Sequence, residues 1–193
     1  EGLQTLTMGG DFNHPLAPGV LPAGLLVLHL GNDFDQPLAV GVLPAGLLTL
    51  KLSDEFNHLL PAGVLPEGLL TLTLGLQFNH PLPAGVLPTS LRELTLGSQF
   101  EMSLDVVVLP EGLQALTIDG DYSPYMETGA LPSSLQRLIL TRCYFPDSLV
   151  GRWPMGLEER MLGLFESRPL EVCELSGGVQ IVTACSCRGV GTV

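Results

Sequence analysis

Apolar residues recur along this chain at a fixed interval of 22 residues. Leu-Pro pairs stand at Leu21-Pro22, Leu43-Pro44, Leu65-Pro66, Leu87-Pro88, Leu109-Pro110 and Leu131-Pro132, and Trp153-Pro154 continues the series. An aromatic column keeps the same step through Phe12, Phe34, Phe56, Phe78, Phe100, Tyr122 and Tyr144. Three further columns run from Leu3 to Leu157, from Leu6 to Leu138 and from Met8 to Leu140. Columns that stay in phase without an insertion are the mark of a repeat architecture, in which one unit cannot bury its apolar face alone and must stack on its neighbours.

Within a unit, Leu69-Leu70-Thr71-Leu72-Thr73-Leu74 reads L-x-x-L-x-L, and its second half alternates inward and outward as a half-buried strand does. Gly31, Gly75 and Gly97 follow the strand and are expected to turn the chain away from it. The stretch from Pro81 to Pro88 is too rich in Pro and Gly for a helix, so the return leg is expected to be extended. Stacking then lays equivalent strands about 4.8 Å apart in one parallel sheet. The aromatic column becomes a ring stack within the core. Gly19, Gly41, Gly63, Gly85 and Gly129 share another column, where a turn with positive φ is expected. Val107 interrupts that column and predicts a different return leg in the fifth unit. The expected fold over residues 1–156 is a β-rich solenoid of seven repeats, a right-handed superhelix of the leucine-rich-repeat (LRR) kind with non-helical return legs.

The pattern breaks after Leu157, because Arg160 occupies a core column. Leu157, Met161, Leu164 and Phe165 fall at helical spacing, which predicts a short amphipathic helix over residues 156–167 that caps the core. Residues 157–193 are therefore assigned to a C-terminal cap and tail, with one strand-like stretch from Val179 to Ala184.

The run Phe78-Asn79-His80-Pro81-Leu82, followed by Gly85-Val86-Leu87-Pro88, resembles the FNIP repeat, a 22-residue relative of the leucine-rich repeats. Phe12-Asn13-His14-Pro15-Leu16 matches equally well, Phe56-Asn57-His58-Leu59-Leu60 lacks only the proline, and the match decays from Glu101 onward. The resemblance implies an LRR-like solenoid with interaction roles and no catalytic residues.

Eight Lys and Arg against 20 Asp and Glu give a net charge of −12, so phosphate backbones and anionic membrane surfaces are repelled and are not expected as partners. Lys51 is the only basic residue before Arg92. No apolar run approaches the length of a membrane span. Cys143, Cys173, Cys185 and Cys187 do not recur with the repeat, which fits reduced thiols and a cytoplasmic location. Glu1 falls inside a repeat unit, from which a longer parent protein is expected. The chain is expected to be monomeric, with end-to-end pairing open to its N-terminal strand.

Three polar columns hold residue types capable of chemistry. His14, His58 and His80, interrupted by Gln36, place two histidines in adjacent units where they could share a metal; a polar turn position explains them more simply. Asp33 and Glu55 stack in a column with Asp11 and Asp121, a possible calcium or acid–base pair, but Gln77 and Gln99 fill the same column and point to solvated loop residues. Asn13, Asn57 and Asn79 are expected to bond neighbouring turns. No cofactor is expected.

The outward strand positions are the expected working surface. One column holds Thr5, Val27, Thr49, Thr71, Glu93, Ala115 and Arg137, and its companion holds Thr7, His29, Lys51, Thr73, Thr95, Thr117 and Ile139. The expected function is non-catalytic protein–protein recognition by this face, at Thr5, Thr7, His29, Thr49, Lys51, Thr71, Thr73, Glu93, Thr95 and Thr117. Competing readings are a metal- or calcium-binding solenoid, an ice- or carbohydrate-binding threonine face, and a structural spacer. The threonine array is broken by His29, Lys51 and Glu93, which weighs against ice binding.

Overall fold

Each L-x-x-L-x-L run becomes one short strand, and successive strands begin 22 residues apart. They are β1 (Thr5–Thr7), β2 (Val27–His29), β3 (Thr49–Lys51), β4 (Thr71–Thr73), β5 (Glu93–Leu96), β6 (Ala115–Ile118) and β7 (Arg137–Leu140). The computed structural model describes residues 2–102, 107–119 and 131–140, together with the strands at 159–163, 171–175 and 179–184. Every strand from β1 to β7 pairs in parallel with the next, and each residue lies opposite the one 22 positions on, as in Leu28↔Leu50 and Leu50↔Leu72. Among the described residues no helix occurs, so the return legs there are non-helical as expected.

Tight turns close each coil. In the first, the Phe56 amide donates to the Ser53 carbonyl at 3.4 Å, and Phe12, Phe34, Phe78 and Phe100 do the same three residues back. In the second, the Val42 amide donates to Ala39, with Gly41 between them at a φ of 83°. That is the geometry of a turn whose third residue must carry a positive φ, which glycine adopts without strain. Gly19, Gly63 and Gly85 repeat it. In the third, the Leu47 amide donates to the Pro44 carbonyl at 3.1 Å, so the recurring proline stands at the first position of a turn that ends on a core leucine.

Glycine after the strand has a different cause from the expected one. A Cβ on Gly75 would overlap the carbonyl oxygen of Ser53 in the preceding coil, and one on Gly97 would overlap that of Gly75. Close backbone approach between coils excludes a side chain there. Ser53 and Asp119 break this glycine column; Ser53 is buried, and its hydroxyl donates to the Phe34 carbonyl.

The core is built by rows. Coil three contributes Leu47, Leu50, Leu52, Phe56, Leu60, Val64 and Leu65, all buried. Phe12, Phe34, Phe56, Phe78 and Phe100 stack in sequence, with ring centroids 6.1–6.4 Å apart and planes within 7° of parallel. The first coil is less covered: Leu3 is 51% exposed, and Leu6, Met8 and Phe12 are only partly buried.

Beside the phenylalanines runs a ladder from side chain to backbone. The Asn13 Oδ1 accepts from the Asp35 amide, the Asp35 Oδ1 from the Asn57 amide, the Asn57 Oδ1 from the Asn79 amide and the Asn79 Oδ1 from the Glu101 amide, at 3.0–3.3 Å. Asn and Asp are equivalent here because only the oxygen is used.

The fifth unit departs as Val107 predicts. In units two to four the valine after the glycine is buried, whereas here Val107 is 4% exposed and Val108 is 51% exposed. Here the Val108 amide donates between coils, to the Leu82 carbonyl at 2.9 Å.

The C-terminal expectation needs correction. Residues 159–163, assigned above to a capping helix, form strand β8 (Glu159–Gly163), paired in parallel with β7 at Leu138↔Arg160. The open edge of β7 offers a row of unpaired backbone groups, and satisfying these outweighs the helical spacing of a few apolar residues. The flanks of that helix, residues 156–158 and 164–167, lie outside the described residues. The strand-like stretch is found as β10 (Val179–Ala184), parallel to β8, and β9 (Glu171–Leu175) lies antiparallel at its far edge. The sheet order is therefore β1 through β8, then β10, then β9.

Two measurements check this account. By chemical denaturation, Phe56→Ala is expected to cost about 3–5 kcal/mol, and Phe12→Ala clearly less, because the second ring is only partly covered. Equal costs would refute row-by-row stacking. Asn57→Ala should lower stability by about 1 kcal/mol. Asn57→Asp, which keeps the accepting oxygen, should cost far less.

Candidate functional site

The strand register brings the expected surface residues together. Thr5, Val27, Thr49, Thr71, Glu93, Ala115 and Arg137 lie opposite one another in one row, and Thr7, His29, Lys51, Thr73, Thr95, Thr117 and Ile139 in a second. Between the rows sit buried leucines, so the two rows share one face. Thr5, Thr7, Lys51 and Glu93 are exposed, and His29, Thr49, Thr71, Thr73, Thr95 and Thr117 are half-buried.

A third row on this face was missed in the sequence. The amides of Leu26 and Val27 both donate to the Gln4 carbonyl, at 2.8 and 2.9 Å, and the doublet recurs at Leu48/Thr49 and Leu70/Thr71. Two successive residues therefore lie outside the core between Leu25 and Leu28. The row reads Gln4, Leu26, Leu48, Leu70, Arg92, Gln114 and Gln136. Leu48 and Leu70 are 37% and 40% exposed, and Leu26 is half-buried. A doublet such as Leu47-Leu48 looks like two core residues. Only the polar occupants of the same column signalled that its second member faces outward.

The face is close to neutral in a chain of net charge −12, its three rows holding Lys51, Arg92 and Arg137 against Glu93. Glu93 accepts weakly from the Thr71 hydroxyl at 3.5 Å. The Arg92 guanidinium is spent on the backbone carbonyls of Thr89, Leu91 and Gly112 at 3.2–3.3 Å. Asp11, Asp33 and Glu55 stand instead in the exposed turn after the strands. There, the backbone amide of Asp33 donates to Gly10, and that of Glu55 to Asn32. The column thus serves the backbone while its side chains face water.

The histidine column is likewise occupied by structural work. His80 Nε2 lies 2.9 Å from the Asn57 carbonyl, and His58 Nε2 lies 3.2 Å from the Asp35 carbonyl and 3.0 Å from its carboxylate. Facing only acceptors, each Nε2 must carry its proton, so that lone pair cannot ligate a metal. Gln36 does the same work from this column, its Nε2 donating to Asn13 Oδ1 at 2.8 Å. Each ring also packs edge-on against the phenylalanine two residues earlier, at 5.6–5.8 Å. Among the described residues no three His, Cys, Asp or Glu side chains gather closely enough to hold a metal ion. Cys173 lies in β9, opposite Ile181; Cys143, Cys185 and Cys187 lie outside the described residues. No helix among the described residues is long and apolar enough to cross a membrane.

Comparison with known proteins agrees with this geometry. The family model described as FNIP Repeat matches residues 1–33, 12–55, 34–77, 56–99 and 78–121 in tandem. Among solved structures, the fold is similar to CroV588, described as a novel circular LRR protein, with a TM-score of 0.77 and 34% sequence identity. The match covers 86% of this chain and 25% of that one, so the chain spans a quarter of that protein's length. A comparison with curated proteins found no match. With its repeat matched in unbroken succession from residue 1 to residue 121, the chain belongs to the FNIP repeat family.

Proposed function

We propose that this solenoid is a non-catalytic scaffold that binds a protein partner through the exposed face of its strands. The observation that carries the reading is the continuity of that face: the register sets Thr5, Thr7, His29, Thr49, Lys51, Thr71, Thr73, Glu93, Thr95 and Thr117 side by side across six coils. Repeat solenoids of the LRR type commonly use such extended surfaces for recognition. The Asn/Asp and His columns are engaged in holding coil to coil, which leaves them less free than the strand face to meet a partner.

The reading is tested with a partner obtained from an interaction screen. Thr71→Lys with Thr73→Lys should weaken binding by about tenfold or more, as expected for a change at the centre of an interface. The exposed control Glu67→Lys, on the return leg, should leave it unchanged. Binding indifferent to the threonine changes, measured by calorimetry on folded variants, would remove the face from consideration.

A further inference from the structure

The repeat supplies its own control for what the fold needs at each position. In the row Gln4, Leu26, Leu48, Leu70, Arg92, Gln114 and Gln136, the backbone performs the same task in every coil. The Leu48 amide donates to Leu26, Leu70 to Leu48, Arg92 to Leu70 and Gln114 to Arg92, all at 2.8 Å, and Gln136 donates to Gln114 at 2.9 Å. Glutamine and arginine therefore satisfy this position as well as leucine does. Yet three consecutive coils carry leucine, two of them 37% and 40% exposed. With strands about 4.8 Å apart these side chains form one stripe, extended sideways by the half-buried Val27. Isolated exposed leucines are ordinary on a protein surface, whereas these stand side by side in consecutive coils among polar residues.

The same strands carry an unused cation. Lys51 is the only Lys or Arg in the first 91 residues. Among the described residues no carboxylate or carbonyl reaches its ammonium group. Its neighbours by register are His29 and Thr73, and the carboxylates that follow it along the chain, Asp54 and Glu55, lie in the turn beyond the strand. In a chain with 20 acidic residues, a cation that neutralises none of them is left for a carboxylate brought from outside. Lys51 lies three residues along the strand from Leu48, about 10 Å, a distance spanned by three or four residues of extended chain.

We infer that strands β2 to β4 dock a linear segment of a partner protein that sets an apolar side chain on the Leu26–Leu48–Leu70 stripe and an Asp or Glu carboxylate on Lys51. This rests on the strand face being the binding surface and adds the chemistry of what binds it. The stripe supplies the area to be dried, and Lys51 fixes the position of the segment and selects its charge.

The probe is a random linear peptide library displayed on phage and panned on the full chain. The enriched sequences should pair Asp or Glu with Leu, Ile, Phe or Trp a few residues away. A synthetic peptide from that set should lose about tenfold or more in affinity against Leu48→Gln with Leu70→Gln, and against Lys51→Glu. Because glutamine is the resident of this column in other coils, the first variant keeps the fold, which circular dichroism would verify. A peptide whose carboxylate is exchanged for lysine should recover binding to Lys51→Glu. Failure to enrich peptides, enrichment of sequences without an acid, or equal binding to wild type and both variants would overturn the inference. If that equally bound peptide still lost affinity to Thr71→Lys with Thr73→Lys, the strand-face reading would stand while this one fell.

Discussion

The constraint on which the molecule depends is that consecutive coils have equal length. The recurring contacts between coils join residues at a nearly fixed separation: 22 along the strand pairs, 22 along the Asn and Asp ladder, and 23 where histidine or glutamine reaches back to the previous turn. One inserted residue would misphase all of these at once and also move the phenylalanines out of their stack. Hydrogen bonds, ring stacking and glycine clearance thus enforce the same length independently. That agreement among local devices is what allows short strands to hold together as a sheet.

The motif Phe-Asn-His is intelligible in these terms. The phenylalanine fills the core, the asparagine oxygen holds the next coil's amide, and the histidine grips the preceding coil's carbonyl while covering the edge of the phenylalanine ring. A column of imidazoles and a column of amides, which look like candidate ligands in a sequence, are here the upper and lower attachments of each turn.

Much of the fold was legible because it is periodic. Columns of Leu and Phe, a glycine column with positive φ and the disturbance at Val107 all followed from repetition with a known physical cause. What escaped was set by neighbours rather than by local pattern. The glycine after the strand is required by a carbonyl of another coil, which no local reading of Gly75 reveals. Residues 159–163 look amphipathic and helical, yet they extend a sheet because β7 presents an edge. The exposed row containing Leu48 was hidden by chemistry that mimics the core; comparing occupants down the column, rather than along the chain, would have exposed it.

Because the contacts run between adjacent coils, the solenoid also has a defined response to tension. A pull on one end loads the terminal coil first, and interior coils are untouched until it detaches. Each detachment exchanges a rise of about 4.8 Å for a length of extended chain approaching about 70 Å. The protein would therefore lengthen in steps of equal size, its extension counting the coils already surrendered, with the register of those remaining still intact.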